Sequence, residues 1–134
     1  MKVQSLILAA CLALAAPSAA RDPGEAVAPK FERAIPNIPG KSLIAAEVTF
    51  PPGPASLPHH HANSASIYAY VLSGSIRSQV EGEPARVYRA GESFYEAPGA
   101  HHLETLNVSS TEPAKWLAVF VVDTNDKQLT TFDK

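Results

Sequence analysis

Pro51-Pro52-Gly53-Pro54-Ala55-Ser56-Leu57-Pro58-His59-His60-His61 is the stretch on which the reading of this chain turns, a Pro/Gly loop that runs straight into three histidines. The chain has five histidines, and the other two are also adjacent: His101-His102, just after Pro98-Gly99. Scattered histidines would read singly, as surface or core residues. Two dense clusters, each beside a turn, read as one metal site assembled from two strands, with a solvated histidine-rich loop as the alternative. In an extended chain, residues i and i+2 point the same way with Cα atoms about 6.5 Å apart. His59 and His61 therefore aim at one point while His60 faces away. Imidazole nitrogens bind first-row metals at about 2.0–2.1 Å, a distance that side chains so spaced can meet.

Outward from this stretch the pattern is β. Residues 42–50 read as a strand with Ala46, Val48 and Phe50 on one face. Residues 67–72, 76–80, 86–89, 93–96 and 102–106 follow as short strands, and residues 116–122 form a continuous apolar one. Gly74, Gly82 with Pro84, Ala90-Gly91 and Pro98-Gly99 punctuate them. Many short strands with turn signals at this spacing predict an all-β sandwich or barrel. Before them, residues 21–40 hold Pro23, Pro29, Pro36 and Pro39, which forbid a long helix and favour an extended N-terminal arm. Such an arm packs along a sheet edge or onto a partner subunit, so a homodimer is one expected assembly; a loosely ordered tail is the alternative.

At 134 residues and 46% apolar the chain supports one domain. A net charge of −2 with 18% charged residues argues against a nucleic-acid partner and leaves a small-molecule one open. Residues 1–20 have the three parts of a signal peptide. Lys2 is the positive end, residues 3–16 are an apolar run too short to span a bilayer, and Pro17-Ser18-Ala19-Ala20 offers small residues for cleavage after Ala20. The expectation is an exported protein, periplasmic or secreted, with a barrel domain over residues 41–125 and a tail over 126–134. Leu8-Ala9-Ala10-Cys11 resembles a lipoprotein lipobox, and membrane attachment follows only if Cys11 is lipidated. Cys11 is the one cysteine. Cleavage after Ala20 removes it, and with it thiolate catalysis, disulfides and cysteine-ligated zinc.

The two histidine clusters also carry a family resemblance, to the cupins. The first cupin motif runs from a glycine through His-x-His and a glutamate to a closing glycine; Gly53, His59, His61 and Gly74 match it. The second runs from a glycine through Pro-x-Gly and a histidine to an asparagine; Gly91, the Pro98-Gly99 turn, His102 and Asn107 resemble it. The resemblance covers roughly residues 45–122. It implies a double-stranded β-helix, or jelly-roll barrel, with one divalent transition metal ion (Zn, Ni, Cu, Mn or Fe) held inside by His59, His61 and His102.

The departure is the glutamate of the first motif, which should fall near residues 65–67, where Ser66 is the only polar side chain. Glu104 is the first substitute: it lies two residues after His102, so strict alternation puts both on one face, and the His-x-Glu pair is similar to that of pirins. Glu96 is the second, expected as an outer-shell or substrate-contacting acid together with Ser66, Tyr68 and Tyr70, although its facing cannot be counted through the Pro98-Gly99 turn. No residue is assigned a catalytic role. Two functions remain: a metal-dependent enzyme on a small organic molecule, with dioxygenase-like or isomerase- and lyase-like chemistry, and a non-catalytic module that binds a small ligand or metal outside the cytoplasm.

Overall fold

The computed structural model describes residues 24–134 except residue 54. The expected signal peptide, with Cys11 and the cleavage point at Ala20, lies outside the described residues. Among these the regular structure is all strand: β1 (Ala26–Ala34), β2 (Lys41–Phe50), β3 (His59–His61), β4 (Ser66–Ser73), β5 (Ser75–Val80), β6 (Arg86–Arg89), β7 (Ser93–Glu96), β8 (His101–Asn107), β9 (Ala114–Asp123) and β10 (Thr130–Phe132). They form two five-stranded sheets, in the orders β1-β2-β9-β4-β7 and β10-β3-β8-β5-β6, the double-sheet jelly roll expected from the sequence. The arm at residues 21–40 supplies β1, an edge strand antiparallel to β2, and residues 126–134 supply β10, which pairs with β3.

Alternation decides what each sheet turns inward. In the first sheet, Ala46, Val48 and Phe50 of β2, Ile67, Ala69 and Val71 of β4, and Trp116, Ala118, Phe120 and Val122 of β9 are buried. In-register pairing sets Val48 opposite Trp116 and Ile67 opposite Phe120, so these side chains form one apolar layer. β9 lies between β2 and β4, which explains its unbroken apolar run. The second sheet is different. Apart from the fully buried Ile76, its buried positions are His59, Ser78, His102, Thr105 and Asn107. An apolar wall thus faces a polar one. Burying hydrocarbon at about 25 cal/mol per Å² makes the first sheet the source of cohesion, while each polar group on the second must find a partner inside the barrel. Asn107 does so through the backbone. Its Nδ2 donates to the carbonyls of Phe50 (3.2 Å) and Glu112 (2.7 Å), and its Oδ1 accepts from the Ser109 amide (3.0 Å).

The chain crosses from the first sheet to the second at Gly74, between β4 and β5, with φ +71°. A Cβ there would stand 2.9 Å from both Ala114 Cα and the Pro113 carbonyl oxygen. Gly82 has φ +85° with open space around it. The left-handed conformation alone costs a side chain about 1–2 kcal/mol, so Gly82→Ala should lose that much. Gly74→Ala, which also overlaps backbone, should lose about 1 kcal/mol more. Urea unfolding of the two variants checks this, and equal losses would refute the close-approach argument.

Candidate metal centre

His59 and His61 stand on β3 with their shared face inward, as two residues apart on a strand must. β3 pairs with β8, and the register sets His59 opposite His102. The three rings converge, with centroids 4.8 Å apart for His59–His61, 5.1 Å for His59–His102 and 6.2 Å for His61–His102. One nitrogen from each lies within 4.8 Å of the others.

Each ring is anchored through its other nitrogen. His59 Nδ1 donates to the Leu57 carbonyl at 2.9 Å. His61 Nδ1 donates to the Leu129 carbonyl at 3.3 Å, with Thr130 Oγ1 at 3.4 Å. His102 Nε2 is held by the hydroxyls of Ser78 (2.7 Å) and Thr105 (3.0 Å). Outer hydrogen bonds of this kind set ring orientation and ligand basicity in metal sites.

A carboxylate reaches the cluster from the opposite sheet. Glu96, the last residue of β7, is only 4% exposed and lies opposite Ile67 of β4. Its Oε2 is 3.4 Å from His61 Nε2 and its Oε1 is 2.8 Å from His102 Nδ1. This buried Oε1 makes the close contact to His102 but has no hydrogen-bond partner of regular geometry. Ala65 and Ile67, at the two ends of the stretch where the family pattern has its glutamate, are both buried. The carboxylate near the cluster comes instead from β7, the strand paired with β4 in the same sheet.

Glu104 is a correction. It does not join His102; its carboxylate pairs with Arg77 on the outside of the second sheet. The cause is a β-bulge. On β5, Gln79 stands opposite Glu104 and the next residue, Val80, opposite His102, so Leu103 is an extra residue on β8. A bulge reverses the facing of the residues after it, and Thr105 takes the inward position that alternation predicts for Glu104. Ser66, Tyr68 and Tyr70 are corrections too. They alternate with the buried Ile67, Ala69 and Val71, and so lie on the outer face of β4. Tyr68 and Tyr70 are exposed, and Ser66 accepts a hydrogen bond from the Tyr95 hydroxyl at 3.3 Å.

The charge states follow from this packing. Burial pushes the His59 imidazole down to about 4. Burial acts the same way on His61, but its contact with the Glu96 carboxylate and that group's charge outweigh it and raise this ring above 6.5. Burial would raise the Glu96 carboxyl; contact with His102 and His61 holds it well below the usual carboxylate range instead. Near neutrality the cluster thus offers an ionised carboxylate and a neutral His59. A mixed set of imidazoles and one carboxylate suits Zn, Ni, Cu, Mn or Fe, and an unsatisfied carboxylate oxygen among ring nitrogens is a place for a cation. The residues present fit a divalent transition metal.

Metal ligation needs neutral imidazole, so binding near pH 6.5 should release protons, up to about one per site, chiefly from His61. The release should fade as pH rises through the raised His61 value. Glu96→Gln removes the charge that raises His61 and should reduce the release. Calorimetry with zinc in buffers of different ionisation enthalpy measures it; identical release from the wild type and Glu96→Gln would break the link between the two residues.

The family model for the cupin domain matches residues 46–120, from within β2 to within β9. Curated proteins show no match to the sequence. Among solved structures, oxalate oxidase in complex with the substrate analogue glycolate superimposes with a TM-score of 0.62 at 26% identity, over 81% of this chain and 55% of that one. The chain thus spans about half the length of that enzyme. A DMSP lyase from Ruegeria pomeroyi matches at a TM-score of 0.56 and 24% identity, over 67% of this chain and 42% of that one. An uncharacterised protein with a double-stranded β-helix domain from Klebsiella pneumoniae matches at 0.64 and 15%, over 87% and 90% of the two chains. These two likenesses are of fold. With the domain match running through both histidine clusters, and the clusters facing one barrel interior, the chain belongs to the cupin family.

Proposed function

We propose that this cupin is an exported metal-dependent enzyme acting on a small organic molecule that has a polar, metal-binding end and an apolar body. The observation that carries the reading is a cavity of about 470 Å³ between the sheets. Its floor is His59, His61, His102 and Glu96, and its walls include Phe50, Trp116, Phe94, Phe120, Ile67 and Leu129. A mostly apolar pocket with a few convergent polar groups is the usual form of a small-molecule site. The likeness to oxalate oxidase supports a small organic substrate. The lining favours one less polar than a dicarboxylate: Lys127 is the single lysine or arginine among the described lining residues, and it pairs with Glu32 at 3.3 Å.

His59, His61, His102 and Glu96 would hold the metal. Bound there, the metal supplies Lewis acidity and a position for water or substrate oxygen. The protein supplies the rest. Leu57, Leu129, Ser78 and Thr105 fix the rings, the apolar walls exclude water and orient the substrate body, and the Glu96 carboxylate stays ionised beside the reacting end. Two reaction classes use such a site: oxygen-dependent oxidation, and metal-assisted proton abstraction with isomerisation or elimination. Oxygen uptake by the metal-loaded protein during turnover of small organic acids and enols separates them. Tight binding of these compounds without turnover would instead establish the non-catalytic binding module.

Alanine at His59, His61 or His102, or Glu96→Gln, should weaken zinc binding tenfold or more, about 1.4 kcal/mol. Glu104→Gln should leave it unchanged. Competition against a chelator of known affinity checks both, and an effect of Glu104→Gln equal to that of Glu96→Gln would reject the ligand set. Export rests on the features of residues 1–20. Fractionation of the host with N-terminal sequencing should find a chain beginning at Arg21 outside the cytoplasm; uncleaved cytosolic protein would refute export, and acylated Cys11 would show the other peptidase at work.

A further inference from the structure

The residues that strand alternation turns away from the inner cluster meet on the opposite face of the same sheet. His60 of β3 stands opposite His101 of β8, and their rings stack with centroids 4.0 Å apart and planes 11° from parallel. Asp133, just past β10, joins them. Its Oδ2 is 2.9 Å from His101 Nε2 and its Oδ1 is 3.9 Å from His60 Nε2. Asp133 is also fixed by its backbone, whose amide donates to the Pro58 carbonyl at 2.9 Å. One donor atom from each of the three lies within 4.8 Å of the others.

We propose that His60, His101 and Asp133 form a second, outer site for a divalent transition metal of the zinc class, distinct from the inner cluster. In a tetrahedral zinc site with bonds of about 2.0–2.1 Å, neighbouring donors lie about 3.3 Å apart. Asp133 approaches both rings on that scale, with Oδ2 2.9 Å from His101 Nε2 in a hydrogen bond and Oδ1 3.9 Å from His60 Nε2. The nearly parallel rings do not yet aim at a shared point. Histidine χ2 is a broad torsion, and the His60 side chain, 51% exposed, has room to turn its Nε2 toward Asp133. Behind the site, the exposed Glu81 carboxylate lies 3.6 Å from His101 Nδ1 and adds negative charge beside that ring. The site has a structural consequence. Asp133 ends the segment that contains β10, and Leu129, Thr130 and Phe132 of this segment line the inner cavity. A cation shared by β3, β8 and Asp133 clips that wall in place.

Zinc titration of the chelator-stripped mature protein tests the site. The wild type should bind two equivalents at micromolar affinity or better. His60→Gln/His101→Gln should bind one, and so should Asp133→Asn, an isosteric change just past β10 that leaves the barrel strands intact. His59→Ala/His61→Ala should keep the outer equivalent. Two equivalents in Asp133→Asn, or one in the wild type that vanishes in His59→Ala/His61→Ala, overturns the outer site and leaves the inner one standing. One equivalent lost in Asp133→Asn but kept in His59→Ala/His61→Ala upholds the outer site and removes the inner one.

Discussion

A carboxylate from one sheet meets two of three clustered imidazoles from the other, and the arrangement of the barrel interior follows from that contact. Glu96 is almost wholly enclosed beside Phe94 and Ile67. Burial of an isolated carboxylate costs several kcal/mol even after the surroundings relax. Here His61 and His102 offset the cost, and both rings are held in position by hydroxyls and main-chain carbonyls. Without the acid, His61 would lose the contact that raises it, and burial would act on it as it does on His59. Without the histidines, the acid would be an uncompensated buried ion. Each half makes the other tolerable.

The asymmetry of the two sheets is the wider form of the same constraint. A sandwich whose inner faces are both polar would lack cohesion; one whose faces are both apolar would close without a site. The first sheet concentrates the hydrocarbon of β2, β4 and β9, so the second can carry histidines, hydroxyls and Asn107 inward. The cavity lies where the two kinds of wall meet, and that is the reason it is apolar on its sides and ligand-rich at its floor.

One extra residue on β8 selects which acid belongs to the interior. With a regular strand, Glu104 would follow His102 inward, and the site would draw its histidine and carboxylate from a single strand. The bulge at Leu103 sends Glu104 out to Arg77 and brings Thr105 in to hold the His102 ring. The same strands present a second set of donors on their outer face, because alternation that turns His59, His61 and His102 inward turns His60 and His101 outward.

The sequence by itself determined the architecture and the triad. Period-two patterning and turn residues are local signals, and they placed most strands from β2 to β9 within a residue or two of their observed limits; His59, His61 and His102 were legible because residues two apart on a strand share a face. β1 was legible only as an extended arm with an open choice of sheet edge or partner subunit, and β10 was not legible as a strand. Exposed edge strands have no buried face to impose a pattern: every residue of β1 is exposed, and β10 is three residues long. Only the tertiary structure decided the acid. A bulge has no reliable mark in a string of residues, since it arises from the pairing of β8 with β5. The facing of Glu96 depends on its register against Ile67, a contact between segments far apart in the chain. Facing along one strand is a local property, whereas the choice of carboxylate depended on how separate strands pair.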